Sequence, residues 1–192
     1  MKITETSARL LNPFLDELSD KFYLQMLLRH VEKCGRICYL SESKDPEGST
    51  DRAISQEIVR HRLASYSQES TRYCNYANGK FAREITVIES GSLAENEARE
   101  WLNLMEMSER TYLHLIDAGV KPEKARDVLP LCLKTELMMT ANFREWRHFL
   151  KLRGSRMAHP EIRKIAKQIY KIFQQAIPVL VEDIQILDDE AD

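Results

Sequence analysis

The sequence predicts an α+β fold. Three observations carry this. Apolar residues recur at helical spacing in several separate stretches, two short stretches have strand character, and the regular strand–helix–strand alternation of a parallel sheet is missing. The first helix is expected over residues 14–35, where Leu18, Phe22, Met26, Leu27 and Val31 share a face and Gly35 ends the run. SESKDPEGSTD, residues 41–51, has loop composition. Asp51 is then placed to cap a helix reaching about Leu63, with Ile54, Ile58 and Leu63 inward. EITVIE, residues 84–89, reads as a short strand. Residues 95–118 give the clearest helix, with Trp101, Leu104, Met105, Tyr112, Leu115 and Ile116 in one stripe and Gly119 as the stop. Pro122 suits the first turn of a further short helix that Pro130 closes. The period then changes to two through Leu131, Leu133, Thr135, Leu137 and Met139, a strand. It returns to helical spacing at 142–153 through Phe143, Trp146, Phe149 and Leu150. Pro160 opens a last helix carrying Ile162, Ile165, Ile169, Ile172 and Phe173. These stripes are core-forming faces.

Length and composition narrow the function. A chain of 192 residues with 43% apolar and 30% charged residues can bury a core as one domain. The net charge of −2 weighs against a protein that binds nucleic acid through general phosphate neutralisation. No apolar run has the length of a membrane span, and MKITETSARL lacks the apolar region of a signal peptide, so the expected location is the cytoplasm. Four cysteines are present; Cys34 and Cys38 would share a helix face, and with Cys74 and Cys132 they read as reduced structural thiols rather than metal ligands.

Positive charge is concentrated. Residues 124–156 hold eight Lys or Arg against the three acids Asp127, Glu136 and Glu145, and five of the eight are Arg. Such local excess points to a local anionic ligand, and arginine favours planar, bidentate recognition of phosphate or carboxylate. Arg144 and His148, four apart, share a helix face. A second cluster, RHRLASYSQESTRY at residues 60–73, combines Arg60, His61, Arg62 and Arg72 with the short donors Ser67 and Ser70. On a continuing helix Arg60 and Arg62 would lie on different faces and so engage two ligands or two subunits. SYSQES, read as a loop, would leave backbone N–H groups for a phosphate.

This second stretch resembles the signature of the flavin-dependent thymidylate synthases, Arg-His-Arg, seven residues, then Ser, here Arg60, His61, Arg62 and Ser70. RYCNY, ARDVLPL and TANFREWRHFLKLR resemble the same family in order and spacing, from about Asp51 to the last helix, and GRICYLSES does so more faintly. The resemblance implies one domain over 1–192, with an antiparallel or mixed sheet flanked by helices. It implies a homotetramer with shared active sites, bound FAD, dUMP as substrate, methylenetetrahydrofolate as carbon donor and NADPH as reductant. By position, Arg60, His61, Arg62, Asn142, Arg144 and His148 fall on flavin contacts. Glu57, Arg60, Gln68, Glu69, Ser70, Thr71, Arg72 and Arg126 fall where the family holds the nucleotide. Arg153 falls on the arginine that helps ionise the uracil ring. No metal is implied.

Elementary chemistry agrees. A nucleotide monophosphate is nearly a dianion and suits Arg72 and Arg126 with backbone donors. A guanidinium at Arg153 favours a uracil ring that has lost its N–H proton. No cysteine nucleophile is needed, and Ser70 is read as a hydrogen-bond donor to dUMP. The sequence departs from the family in two places. The family's upstream Gly-His and Glu-His stretch, a flavin contact, is missing where CYLSES runs to DRAISQE through a shortened segment near 42–51. Glu57 also stands where a neutral glutamine is common, and a carboxylate facing a uracil anion would repel it. Two further readings stand beside the enzyme: a nucleotide-binding relative that has lost flavin and catalysis, and a nucleic-acid module using the arginines of 124–156.

Overall fold

The computed structural model describes residues 1–8, 49–89, 91 and 93–186. The expected helix over 14–35, the GRICYLSES stretch and most of the shortened segment near 42–51 lie outside the described residues. Within them the chain runs β1 (Lys2–Thr4), β2 (Ser49–Asp51), α1 (Arg52–Ile58), β3 (Ala64–Gln68), β4 (Thr86–Ile88), α2 (Glu95–Asp117), α3 (Pro122–Ala125), β5 (Lys134–Ala141), α4 (Phe143–Arg153) and α5 (Pro160–Ala176). Strands and helices of both pairing types make this α+β, with β1 parallel to β4 and the antiparallel order β2-β5-β3. A bridge between Val87 and Leu133 joins the two sets. No helix among the described residues is long and apolar enough to cross a membrane.

The local signals act as their chemistry requires. Asp51 Oδ1 accepts from the Ile54 N–H at 2.6 Å and starts α1. Gly119, at φ +85°, ends α2: its N–H donates to the Ile116 carbonyl and that of Val120 to Leu115, both at 2.9 Å. This paired closure needs a left-handed residue after the helix, which glycine adopts without strain. Pro122 and Pro160 occupy first turns, where no N–H is missed. Asn142 Oδ1 accepts from the Glu145 N–H at 2.9 Å and starts α4.

Two apolar clusters hold these elements. Ile54 and Ile58 of α1 pack with Phe149 and Leu150 of α4, Ile162, Ile165, Ala166 and Phe173 of α5, and Leu180, Val181 and Ile184 beyond. The second joins Cys74, Tyr76, Ile85, Val87, Met105, Tyr112, Ala125 and Leu133. Each fully buried large side chain contributes about 1.5–3 kcal/mol.

Several expectations are corrected. α1 stops at Ile58, not near Leu63, and Leu63 is 73% exposed instead of inward. SYSQ is not loop: Ala64–Gln68 is β3, paired residue for residue with β5 from Ala64↔Ala141 to Gln68↔Leu137. Arg60 and Arg62 therefore lie in the turns between α1 and β3, not on a helix. Leu104 and Leu131, expected inward, are 58% and 62% exposed, and Phe143 is also exposed. The strand after Pro130 begins at Lys134.

Candidate active site

The turn after α1 is built around His61. Its ring is buried, packed 5.0 Å from the Phe149 ring and 5.4 Å from His148. Tyr66, on β3, sets the backbone: its hydroxyl lies 2.9 Å from the Ile58 carbonyl oxygen and 2.8 Å from that of His61. Burial pushes the Tyr66 phenol up to about 12, so it stays a donor.

Both ring nitrogens are engaged. Arg153 Nε donates to His61 Nε2 at 3.1 Å, and His61 Nδ1 lies 3.0 Å from Glu145 Oε1. A guanidinium can only donate, so Nε2 is the acceptor; the neutral ring then carries its hydrogen on Nδ1 and donates it to Glu145. Burial, with the Arg153 charge adding to it, holds the imidazole below its ordinary range. Arg153 also donates from Nη1 to Glu57 Oε2 at 2.7 Å and from Nη2 to the Glu57 carbonyl at 3.0 Å. The result is a row: Glu145, His61, Arg153, Glu57. Among the described residues three of the five guanidinium N–H groups find acceptors, leaving one on each terminal nitrogen. The Glu57 carboxylate faces the guanidinium, which resolves where its charge goes.

The row gathers the flavin candidates. Arg60 and Arg62 flank His61, and Arg144 precedes Glu145; all three are exposed and have no ion-pair partner among the described residues. His148 is exposed beside His61, one turn from Arg144. Asn142 serves as the cap of α4 through Oδ1. Glu145, His61 and His148 offer donor atoms within 4.8 Å of one another. A cation there would meet an imidazole whose Nε2 already faces a guanidinium, an arrangement unsuited to a metal.

The nucleotide candidates divide. Ser70, Thr71 and Arg72 form the turn after β3, where the Ser70 carbonyl accepts from Tyr73 and Cys74 at 3.1 and 2.8 Å. The N–H groups of Ser70, Thr71 and Arg72 find no acceptor among the described residues. Arg72 lies 3.5 Å from Glu123 of α3, which brings it near the segment bearing Arg126, itself exposed and without a partner among the described residues. Gln68 and Glu69 turn into the protein instead. Gln68 Nε2 lies 2.9 Å from Ser55 Oγ and 3.2 Å from Thr135 Oγ1. Glu69 is buried: its carboxyl takes a short hydrogen bond from the Tyr76 hydroxyl, its carbonyl accepts from Arg52 at 2.8 Å, and its N–H donates to Glu136. Burial raises the Glu69 carboxyl above its usual range.

The basic excess of 124–156 is not one surface. Arg147 and Lys151 reach Asp183 at 2.7 and 3.1 Å, and Arg147 also bonds the Leu180 carbonyl, tying the C-terminal segment to α4. Those partners hold the Asp183 carboxyl well below the usual carboxylate range. Lys134 pairs with buried Glu136 at 2.7 Å. Glu145 and Tyr66 were not among the sequence candidates. Glu145 was legible as a first-turn acid three residues after a cap, but nothing local joins it to His61, 84 positions away.

An α+β scaffold that fixes one guanidinium between carboxylate and imidazole, beside exposed arginines and turn N–H groups without partners among the described residues, has the chemistry suited to anionic ligands. The chain belongs to the thymidylate synthase complementing protein family, whose model matches residues 47–179. It is 37% identical over 134 residues to a flavin-dependent thymidylate synthase of Geobacter sulfurreducens, covering 69% of this chain and 56% of that one. It is 31% identical over 166 residues to that of Thermotoga neapolitana, covering 85% and 74%. Among solved structures, the flavin dependent thymidylate synthase ThyX from Helicobacter pylori, complexed with FAD and dUMP, matches with TM-score 0.57 at 25% identity over 72% of this chain and 69% of that one. The UMP/dUMP methylase PolB from Streptomyces cacaoi, bound with 5-Br dUMP, matches with TM-score 0.60 at 26% identity over 70% and 67%. The chain spans 56% of the Geobacter relative's length and 49% of a Thermococcus kodakarensis one, about half.

Proposed function

We propose that this chain, as one thymidylate synthase-like domain in a cytoplasmic homotetramer with shared active sites, converts dUMP to dTMP. Methylenetetrahydrofolate would supply the carbon, FAD would be the flavin and NADPH the reductant. One observation carries the reading: among the described residues, Arg153 is held at three points with two N–H groups left over, beside a set of arginines without ion-pair partners.

The donor set fits FAD. Its pyrophosphate is anionic, and Arg60, Arg62 and Arg144 are exposed guanidiniums without ion-pair partners among the described residues, gathered by the His61–Glu145 contact at 3.0 Å. His148 adds an exposed ring on the same helix. When bound and reduced, the flavin supplies the hydride. The chain's own groups hold and polarise. Ser70, Thr71 and Arg72, with Arg126, offer backbone and guanidinium donors to the dUMP phosphate. Arg153 stabilises the negative charge that the uracil ring acquires on losing its N–H proton. Glu57 orients that guanidinium through its carboxylate and carbonyl, so its charge is directed at Arg153 and not at the ring. Gln68 and Glu69 support the strand and turn beneath the nucleotide from inside.

The test is the purified full-length protein. It should show the visible absorption of bound flavin, as isolated or after incubation with FAD, bind dUMP by calorimetry and form dTMP. Arg153→Ala should cut dTMP formation by about a hundredfold or more while thermal stability changes little. A colourless protein that cannot take up FAD but binds dUMP would overturn the flavin reading and leave a nucleotide-binding relative. Binding of neither ligand would overturn both. Activity lost only in step with folded protein would remove Arg153 from the chemistry.

A further inference from the structure

We propose that Glu145 is a positioning residue for Arg153, acting through His61: its carboxylate fixes the imidazole so that Nε2 offers its lone pair to the Arg153 guanidinium. The inference rests on the reading of Arg153 above, but it concerns a residue to which the resemblance gave no role, although it lies within TANFREWRHFLKLR.

Three facts support it. Glu145 is buried; the Asn142 cap on its N–H at 2.9 Å fixes its backbone, and His61 Nδ1 at 3.0 Å holds its carboxylate. The His61 ring can therefore not turn over without breaking both of its hydrogen bonds, and the opposite tautomer would put an N–H against the Arg153 N–H. Finally, among the described residues Arg153 has just two anchoring groups besides this one, both from Glu57. Removing the imidazole contact frees the Nε end, and the guanidinium plane can pivot about Glu57. A guanidinium that must meet charge as it develops on a ring loses its effect when its plane moves by a fraction of its own width.

The groups facing the ring decide what pH does. Glu145, His148 and Arg153 face it from α4, Tyr66 reaches its carbonyl from β3, Glu57 stands behind Arg153 at the end of α1, and Arg60 and Arg62 flank it in the turn. Protonation of the ring would place an N–H at Nε2 against the guanidinium. Activity should fall on the acid side as the ring protonates, and the Glu145 charge brings this fall to higher pH, because it favours the protonated ring. Glu145→Gln keeps an acceptor for Nδ1–H and removes the charge, so its acid limb should move to lower pH.

The experiment compares wild type, Glu145→Gln and Glu145→Ala as full-length protein with bound flavin. Glu145→Ala should lower kcat for dTMP formation by about ten- to a hundredfold with the KM for dUMP changed by less than about threefold. Glu145→Gln should retain most of kcat and show the displaced acid limb. A readout free of turnover accompanies these: long-range imidazole spectra of protein labelled with 15N-histidine should show His61, assigned by its loss in His61→Gln, as the Nδ1–H tautomer in wild type and Glu145→Gln. Equal impairment of the two Glu145 variants, an unshifted acid limb in Glu145→Gln, or an Nε2–H tautomer in wild type would each overturn the proposal. If Glu145→Ala does not fold, the acid limb and the tautomer decide. If wild type makes no dTMP, the functional reading fails while the tautomer still tests the positioning row.

Discussion

Gly154 follows Arg153 directly and closes α4, so replacing it with alanine probes the packing that sets the end of that helix. Its φ of −84° is ordinary for any residue, so alanine meets no torsional cost. By restricting the unfolded chain alone, the change would stabilise by about 0.4–1 kcal/mol. The space contradicts this. An added Cβ would stand 2.6 Å from the Leu150 carbonyl oxygen and 2.8 and 2.9 Å from Ile186 Cδ1 and Cγ1. The Leu150 carbonyl is backbone that already accepts the Gly154 N–H at 2.9 Å, so it cannot swing aside. Overpacking of this kind costs about 1–3 kcal/mol, and against the entropic gain the net loss is about 1–2 kcal/mol. For a chain of this size that lowers Tm by about 2–8 °C, read by circular dichroism on the full-length protein. Ile186→Ala removes the side-chain half of the clash, so Gly154→Ala should cost less in that background, by about 0.5 kcal/mol or more. A Gly154→Ala protein as stable as wild type, or a cost indifferent to residue 186, would refute the contact.

The buried Glu69–Tyr76 pair gives a second prediction. Tyr76→Phe removes the donor to a buried carboxyl and should destabilise by about 1–3 kcal/mol in denaturant titration. The pH dependence has a definite sign. The folded Glu69 carboxyl sits above its ordinary 4.5, chiefly through burial. Below that ordinary value both states are protonated and nothing is lost; as pH climbs through the raised folded value the native state must bury a charge. Stability from this group is therefore lost with rising pH, and Glu69→Gln, always neutral, should gain on wild type as pH rises above the ordinary carboxyl value of 4.5. A stability difference that stays flat across that rise would refute it. A third prediction concerns thiols: burial pushes Cys74 and Cys132 up to about 11. Site-resolved iodoacetamide labelling near neutral pH should leave both largely unmodified until the chain is denatured. Rapid modification of Cys132 in the folded protein would show that burial does not govern it.

Several helix ends were legible because each rests on one residue's own chemistry. Asp51 caps, Pro122 and Pro160 sit where no N–H is required, and Gly119 takes the left-handed turn. β3 was not legible: ASYSQ has no apolar alternation, and its extended state comes from five residue pairs with β5, more than sixty positions away. Leu63 misled for a related reason. The helical period of Ile54 and Ile58 runs on to it, but the chain leaves the helix at Ile58 to deliver His61 to Glu145, a tertiary demand invisible in the spacing. Periodicity also identified α2 without giving the width of its covered face, hence exposed Leu104. Within the site, the motif showed which arginines cluster. It could not show that Gln68 and Glu69 turn inward, since their partners Ser55, Thr135 and Tyr76 come from outside the arginine clusters.

The Tyr66 hydroxyl, lying between the carbonyls of Ile58 and His61, has a mechanical meaning. One phenol lies against two carbonyls of the bend, at the end of α1 and at His61, and ties them to a sheet strand, so Arg60 between them rides on a stiff bracket instead of a swinging arm. Only its side-chain rotations remain to be stilled when an anion arrives, and capture there forfeits little backbone disorder.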